Sequence, residues 1–188
     1  TTHFLQVIES WKKLEPLPSE ALFVTIDVVG LYSNIPHQEV ETSLRSILRS
    51  AQQTADHLPP ISVLLDIVRH ILHNNVFEFE QRFYKQTLGT AMGTPMAPSI
   101  ANVFMAWVEQ RLLRDSPWPV DTALWRRFID DIALLWLGGE DSLKQFLQWL
   151  NCQHPTIKFT ANYGTRNIPF LDVSVSISEG RITTDLHR

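Results

Sequence analysis

The chain has 188 residues, 44% of them hydrophobic, which is enough to bury a core and is the length of a single domain. Its formal net charge of -4 argues against a surface built mainly to bind nucleic acid, and its one cysteine, Cys152, excludes an internal disulfide and a cysteine-rich zinc site. No apolar run reaches the roughly 18–20 residues that span a bilayer, so we expect no membrane partner and an intracellular location.

The first third of the chain predicts a helix, a strand and a second helix. The opening stretch "TTHFLQVIESWKKL" is amphipathic at helical spacing. The run 21–29, "ALFVTIDVV", is β-branched and apolar on both faces, which is typical of a central strand, and it ends near a carboxylate, Asp27. The segment 36–50 begins with Pro36 and repeats apolar residues at helical spacing, so it predicts a helix.

The middle of the chain predicts a helix, a hairpin and a long helix. Residues 61–75 have helical spacing, and "VFEFEQRFYKQ" alternates polar and apolar residues around a turn near Gln81. The loop "GTAMGTPMAPS" is rich in glycine and proline and leads into a helix at 100–115.

The last third predicts strands around one more helix. "ALWRRFID" and "DIALLWLGG" form two strands joined at Asp130–Asp131, and "EDSLKQFLQWLNC" forms a helix capped near Asp141. "IKFTANYG" and "IPFLDVSVSI" are strands, the second turned back by "SEGR". This order predicts a single α+β domain whose mostly antiparallel sheet has helices packed on one face.

Two adjacent carboxylates, Asp130 and Asp131, interrupt an apolar run. Aspartate is rarely buried without a partner. The pair is open to three explanations: ordinary turn residues, an ion pair with Arg126, or a site that also includes Asp27 from another strand end. If the two strands are neighbours, three carboxylates converge, which favours Mg²⁺ or Mn²⁺. Two such ions about 3.5–4 Å apart catalyse phosphoryl transfer, and polymerases, nucleases and cyclases share this two-metal mechanism.

Four blocks in order resemble the palm of a reverse transcriptase: "FVTIDVVGLYSNIP", "GTAMGTPMAPSIANVFM", "FIDD" and "IPFLDVSV". The wording is most similar to Penelope-like retroelements, a group related to telomerase, and the similarity runs from about Leu22 to the end. It implies a polymerase palm with part of the fingers, and a piece of a longer polyprotein whose N-terminal fingers motifs and C-terminal thumb lie outside these residues. The palm supplies carboxylates, which explains an acidic chain in a nucleic-acid enzyme.

The resemblance implies an RNA-directed DNA polymerase of a retroelement, most often nuclear. It would extend a DNA primer on an RNA template with deoxynucleoside triphosphates and two Mg²⁺ ions, with Mn²⁺ as a substitute. Asp27 resembles the first metal ligand, helped by the carbonyl of Val28. Asp130 resembles the second ligand, and Asp131 is its less critical neighbour. Tyr32 resembles the aromatic residue under the sugar that favours deoxynucleotides, although core packing is its plainer explanation.

Further positions match the family around the nucleotide and the primer. Gly93 and Pro95 resemble the loop that holds the template and incoming base, where Met92 replaces the glutamine of many relatives. Asn102 matches a polar position near the nucleotide, with local helix bonding as its alternative.

Lys158 resembles the cation near the triphosphate, a general acid for pyrophosphate release, with a solvated strand lysine as its alternative. Phe170 and Leu171 resemble the hairpin that grips the primer, while Asp172 is expected to be structural. His70 and His73 lie one helical turn apart, but no third ligand completes a zinc site, so we expect surface residues.

Two rival functions stay open at this stage. One is a host-retained, non-catalytic palm that binds nucleic acid or another protein. The other is a palm-type cyclase or a two-metal nuclease, against which the "GTAMGTPMAPSIANVF" block and Tyr32 count. The intact Asp27, Asp130 and Asp131 favour the polymerase over both.

Overall fold

A computed structural model describes residues 2–52, 58–91 and 93–187. The helices and strands, in chain order, are α1 Thr2–Lys12, β1 Leu22–Val28, α2 Leu31–Asn34, α3 His37–Gln52, α4 Ile61–His73, β2 Val76–Phe79, β3 Arg82–Lys85, α5 Ala97–Asp115, a 3-10 turn Thr122–Leu124, β4 Trp125–Phe128, β5 Asp131–Trp136, α6 Gly139–Cys152, β6 Phe159–Gly164, β7 Ile168–Phe170, β8 Val173–Ser178 and β9 Arg181–Leu186.

The chain divides into two compact units. The sheet unit comprises residues 1–29 and 115–188, and the helical unit comprises residues 30–114. The predicted α+β class is confirmed, and all the strand pairings described are antiparallel. None of the described helices is both long and apolar enough to cross a membrane.

The main sheet of the sheet unit has the strand order β4-β5-β1-β6. The strand β1 lies inside this sheet, as its apolar sequence predicts, and Val24 and Ile26 are almost fully buried. On the same face, Trp136 stacks on Phe146 of α6 with ring centroids 5.1 Å apart. On the opposite face, Phe23 contacts α1, with its ring 6.4 Å from Phe4. Helices therefore lie against both faces of this sheet, which corrects the expectation of one covered face.

A second sheet, β7-β8-β9, completes the sheet unit. Phe170 of β7 contacts Phe4 of α1 at a centroid distance of 4.5 Å. The loop before β1 is tied to the β8–β9 turn, since the amide of Leu17 donates to the carbonyl of Gly180 at 2.9 Å. The first contact places the end of β7 against α1, and the second joins the β8–β9 turn to the loop before β1.

The helical unit confirms the predicted helices and the hairpin. The hairpin turns at Glu80 and Gln81, both of which have positive φ. Arg69 of α4 donates to both carboxylate oxygens of Glu41 on α3 at 2.6 and 3.0 Å, an exposed bidentate pair that joins the two helices. His70 and His73 are exposed, as expected.

The predicted cap of α6 is wrong. The helix begins at Gly139, its N-cap is Gly138, and no side chain caps it. Asp141 lies within the first turn. The pair of glycines explains the earlier start, because Gly139 has φ 78 and this left-handed backbone turns the chain directly out of β5.

Candidate active site

The main sheet brings Asp27 and Asp131 together. The antiparallel register of β1 and β5 pairs Asp27 with Asp131, so their side chains lie on one face of the sheet. Asp130 lies in the turn before β5 and not on a strand, and its carbonyl accepts a hydrogen bond of 3.2 Å from the amide of Val28. The predicted convergence of these three residues at one end of the sheet is therefore observed.

The turn that presents Asp130 is held in an unusual conformation. Ile129 has φ 58, a left-handed backbone that is costly for a β-branched residue. The guanidinium of Arg127 donates to the carbonyl of Ile129 at 2.9 Å, which supports the turn. Backbone strain of this kind concentrates at functional sites.

The electrostatics of the cluster disfavour negative charge. Partial burial, and then the negative charge of Asp130, raise the pKa of Asp27 above its ordinary value of 3.8. Partial burial, then the charges of Asp130 and Asp27, likewise raise the pKa of Asp131. The carboxylates therefore lie close enough for their mutual repulsion to raise the pKa values of Asp27 and Asp131.

No cation compensates this charge within the described part of the chain. None of the three carboxylates forms an ion pair there, and Arg126 donates to the carbonyl of Trp125 at 2.8 Å. In residues 2–52, 58–91 and 93–187, no group of three or more His, Cys, Asp or Glu residues is arranged to hold a metal ion as it stands. The donor chemistry fits Mg²⁺, since oxygen ligands and uncompensated negative charge are what it prefers, but the cluster is not a closed cage.

A groove of about 320 Å³ opens beside Asp27 and Asp131. Its floor is the sheet, and its wall is the β7–β8 turn with Phe170 and Leu171. Phe170 is buried, whereas Leu171 is half-buried with φ 53, a second strained residue at the site. Both residues predicted for the primer grip thus line one groove with two of the carboxylates.

The groove also includes polar residues that the sequence analysis missed. They are Thr25, Thr160, Asn162 and His187. The pairing of β1 with β6 sets Thr160 opposite Asp27 and Asn162 opposite Thr25. The alternation of "KFTAN" indicates that Thr160 and Asn162 share a face, but only the strand pairing reveals that this face is that of Asp27.

Lys158 does not lie on a strand. The strand β6 begins one residue later, at Phe159, whose two backbone groups bond the side chain of Asn151 at 2.8 and 3.0 Å. The ammonium of Lys158 donates to the carbonyls of Asn151 and His154, both at 2.8 Å, at the end of α6. A cation at a helix C-terminus is stabilising. Its role as a general acid stays a prediction.

The helical unit brings two predicted nucleotide-binding segments together. The carbonyl of Tyr32 accepts a hydrogen bond of 2.7 Å from the amide of Thr90, and the carbonyl of Ile35 accepts one of 2.9 Å from Gly89. A Cβ at Gly89 would lie 2.3 Å from the carbonyl oxygen of Tyr32, so only glycine fits there. The glycine-rich loop is therefore docked on the backbone of α2, which positions Tyr32.

The remaining predicted residues of the helical unit are exposed. Gly93 has φ 97, and a Cβ there would meet no atom within 4 Å, so the backbone conformation and not crowding requires glycine. Pro95 precedes α5, and Asn102 lies on an exposed face of that helix. Met92 lies outside the described residues. The nucleotide-binding roles of these residues stay predictions.

The family of the chain is decided by its sequence. Residues 2–161 match the family of reverse transcriptases (RNA-dependent DNA polymerases). The chain belongs to the reverse transcriptase family. This confirms the resemblance stated for the palm motifs. The match does not bear on the finer likeness to Penelope-like elements. No curated protein shows a significant match.

Solved structures share the fold of this reverse transcriptase domain. Apo telomerase from Candida tropicalis, truncated from the C-terminal domain, aligns with TM-score 0.65 and 12% identity, over 98% of this chain and 39% of that one. Candida albicans telomerase in complex with a fragment of telomeric RNA aligns with TM-score 0.69 and 12% identity, over 95% and 33%. The RNA polymerase complex inside a dsRNA virus aligns with TM-score 0.56 and 13% identity, over 89% and 16%. The chain thus spans about a third of the telomerases it resembles.

Proposed function

We propose that this reverse transcriptase domain is an RNA-directed DNA polymerase of a retroelement, which extends a DNA primer on an RNA template. The observation that carries the proposal is the clustering of Asp27, Asp130 and Asp131 at one end of the main sheet without a compensating cation in the described residues. Three uncompensated carboxylates lower the stability of the fold. In a catalytic site, this repulsion is offset when the substrate complex binds, whereas a purely structural cluster would have no such compensation.

The carboxylates of Asp27 and Asp130, with the carbonyl of Val28, are the groups that would hold Mg²⁺, and Asp131 would add negative charge beside them. Two bound ions supply activation of the primer 3′-hydroxyl and neutralisation of the leaving pyrophosphate. The register of β1 and β5 fixes Asp27 relative to Asp131, and the hydrogen bond of 3.2 Å from the amide of Val28 to the carbonyl of Asp130 holds the backbone of Asp130 beside them, so the cluster is formed before substrate binds.

Other residues of the chain serve the substrates in this proposal. Leu171 and Phe170 support the primer from the β7–β8 turn, and Tyr32 excludes the 2′-hydroxyl of ribonucleotides by its ring. Gly93 and Pro95 shape the loop for the template and the incoming base, and Asn102 contributes a polar contact beside it. The match to the family of RNA-dependent DNA polymerases supports an RNA template for this chain.

The experiment that tests the function is extension of a labelled DNA primer by the purified protein. The RNA template carries a defined sequence, and the reactions contain Mg²⁺ or Mn²⁺ with one deoxynucleotide omitted at a time. We expect extension that stops at the template position complementary to the omitted nucleotide. Binding of the primer–template with no extension under either metal would favour the non-catalytic palm, and cleavage of the template would favour a nuclease.

A further inference from the structure

The groove beside the carboxylates has a polar side that no role described so far uses. Thr160 and Asn162 are exposed on β6, on the face of the sheet that also presents Asp27. Neither side chain forms a hydrogen bond within the described residues, so both are available to a ligand. His187 lies at the rim, where its amide donates to the carbonyl of Asp172 at 2.9 Å and ties it to the β7–β8 turn.

The charge of the groove decides which substrate it fits. Its lining contains two carboxylates, Asp27 and Asp131, and no lysine or arginine. A nucleoside triphosphate has several negative charges, and away from the Mg²⁺ ions proposed at Asp27 this lining offers no lysine or arginine to neutralise them. The terminal nucleoside of a primer has a neutral sugar, a 3′-hydroxyl and one phosphodiester. The combination of neutral hydrogen-bonding groups on β6 with the apolar Phe170 and Leu171 on the other side fits that nucleoside.

We propose that Thr160 and Asn162 are positioning residues for the 3′-terminal nucleoside of the primer, an inference that rests on the proposed polymerase function. The hydroxyl of Thr160, which is the cross-strand partner of Asp27, hydrogen-bonds the terminal sugar and holds its 3′-hydroxyl beside the carboxylates. The amide of Asn162, one pleat further along β6, hydrogen-bonds the edge of the terminal base. Leu171 packs against the sugar from the opposite wall.

Steady-state kinetics separate this role from a merely structural one. We expect Thr160→Val and Asn162→Leu each to raise the KM for the primer–template about five- to tenfold, the cost of one lost hydrogen bond, with the KM for the deoxynucleotide unchanged. Thr160→Ser should restore the wild-type value, because it keeps the hydroxyl. Thr184→Val is the matched control, since Thr184 is exposed on β9 and does not line the groove. Wild-type primer–template KM values in both variants, or a rise confined to the deoxynucleotide KM, would overturn the proposal.

A cross-linking experiment tests the same contact without requiring activity. A DNA primer with 4-thiothymidine at its 3′ end is annealed to an RNA template, irradiated with the protein and mapped by peptide sequencing. Cross-links in residues 159–164 or 168–172 support the proposal, and cross-links confined to the helical unit refute it. If cross-links fall in the groove but the wild-type protein extends no primer, the proposed function fails while the groove still takes a primer end. If the wild-type protein extends the primer but no cross-link falls in the groove, the proposed function stands and the groove proposal fails.

Discussion

Asp131 illustrates how a single carboxylate reports on the site. Its folded pKa is raised above the ordinary 3.8, so ionisation costs folding free energy above that raised pKa and the cost disappears as the pH falls towards 3.8. We predict that Asp131→Asn raises the free energy of unfolding of the metal-free protein at pH 7. The difference from wild type should shrink as the pH falls through the raised pKa. Urea unfolding at pH 7 and at pH 4 measures it.

Asp141 provides the control for that measurement. It is an exposed carboxylate in the first turn of α6, outside the cluster. Asp141→Asn should not stabilise the protein, since a negative charge at a helix N-terminus is mildly favourable. Equal stabilisation by both substitutions would mean that the net charge, and not the cluster, is responsible.

Tyr32 separates a DNA-making polymerase from the rival functions. We predict that Tyr32→Val relaxes rejection of ribonucleotides by tens- to several-hundred-fold in the ratio of kcat/KM values, equivalent to a lost steric clash of about 2–4 kcal/mol. The hydrogen bond from Thr90 reaches the backbone of Tyr32 and survives the substitution. If the ring of Tyr32 served only to pack the core, Tyr32→Val would lower the stability of the protein and leave the ratio of kcat/KM values unchanged.

At the scale of elements, the apolar periodicity of the sequence predicts the helices and strands. It does not predict features that depend on individual hydrogen bonds or on which strands pair. The strand with Asp27, the helices after it and the hairpin at Gln81 follow from apolar periodicity and are confirmed. The strand predicted at 157–164 is confirmed as β6, but it begins two residues later, at Phe159, whose backbone bonds the side chain of Asn151. The groove residues Thr160 and Asn162 are missed because only the pairing of β6 with β1, which sets them opposite Asp27 and Thr25, shows which face of the sheet they share.

The glycine-rich loop offers a prediction at the same scale. Gly89→Ala should destabilise the helical unit by more than the roughly 1–3 kcal/mol of its positive φ, because the new Cβ would also lie 2.3 Å from the backbone of α2. Gly93→Ala is the matched control, with a positive φ and open space around it. Denaturant midpoints measure both variants. Equal losses would show that crowding against Tyr32 contributes nothing.

For the whole molecule, the acidic composition determines how strongly the chain binds nucleic acid. With a net charge of -4, we predict weak binding to a primer–template that falls steeply as salt rises, since phosphate contacts dominate such affinity. Fluorescence anisotropy across a salt series measures it. Tight, salt-insensitive binding would instead favour an interaction module.

The central claim is that the carboxylates of the main sheet catalyse templated nucleotide addition. Its most direct measurement is the single-nucleotide incorporation rate of the purified protein in Mg²⁺, compared among wild type, Asp27→Asn, Asp130→Asn and the control Asp141→Asn, with equal folding verified by circular dichroism. We predict that both cluster substitutions abolish incorporation and that the control retains the wild-type rate. Incorporation at the wild-type rate by a folded Asp27→Asn or Asp130→Asn protein would contradict the account.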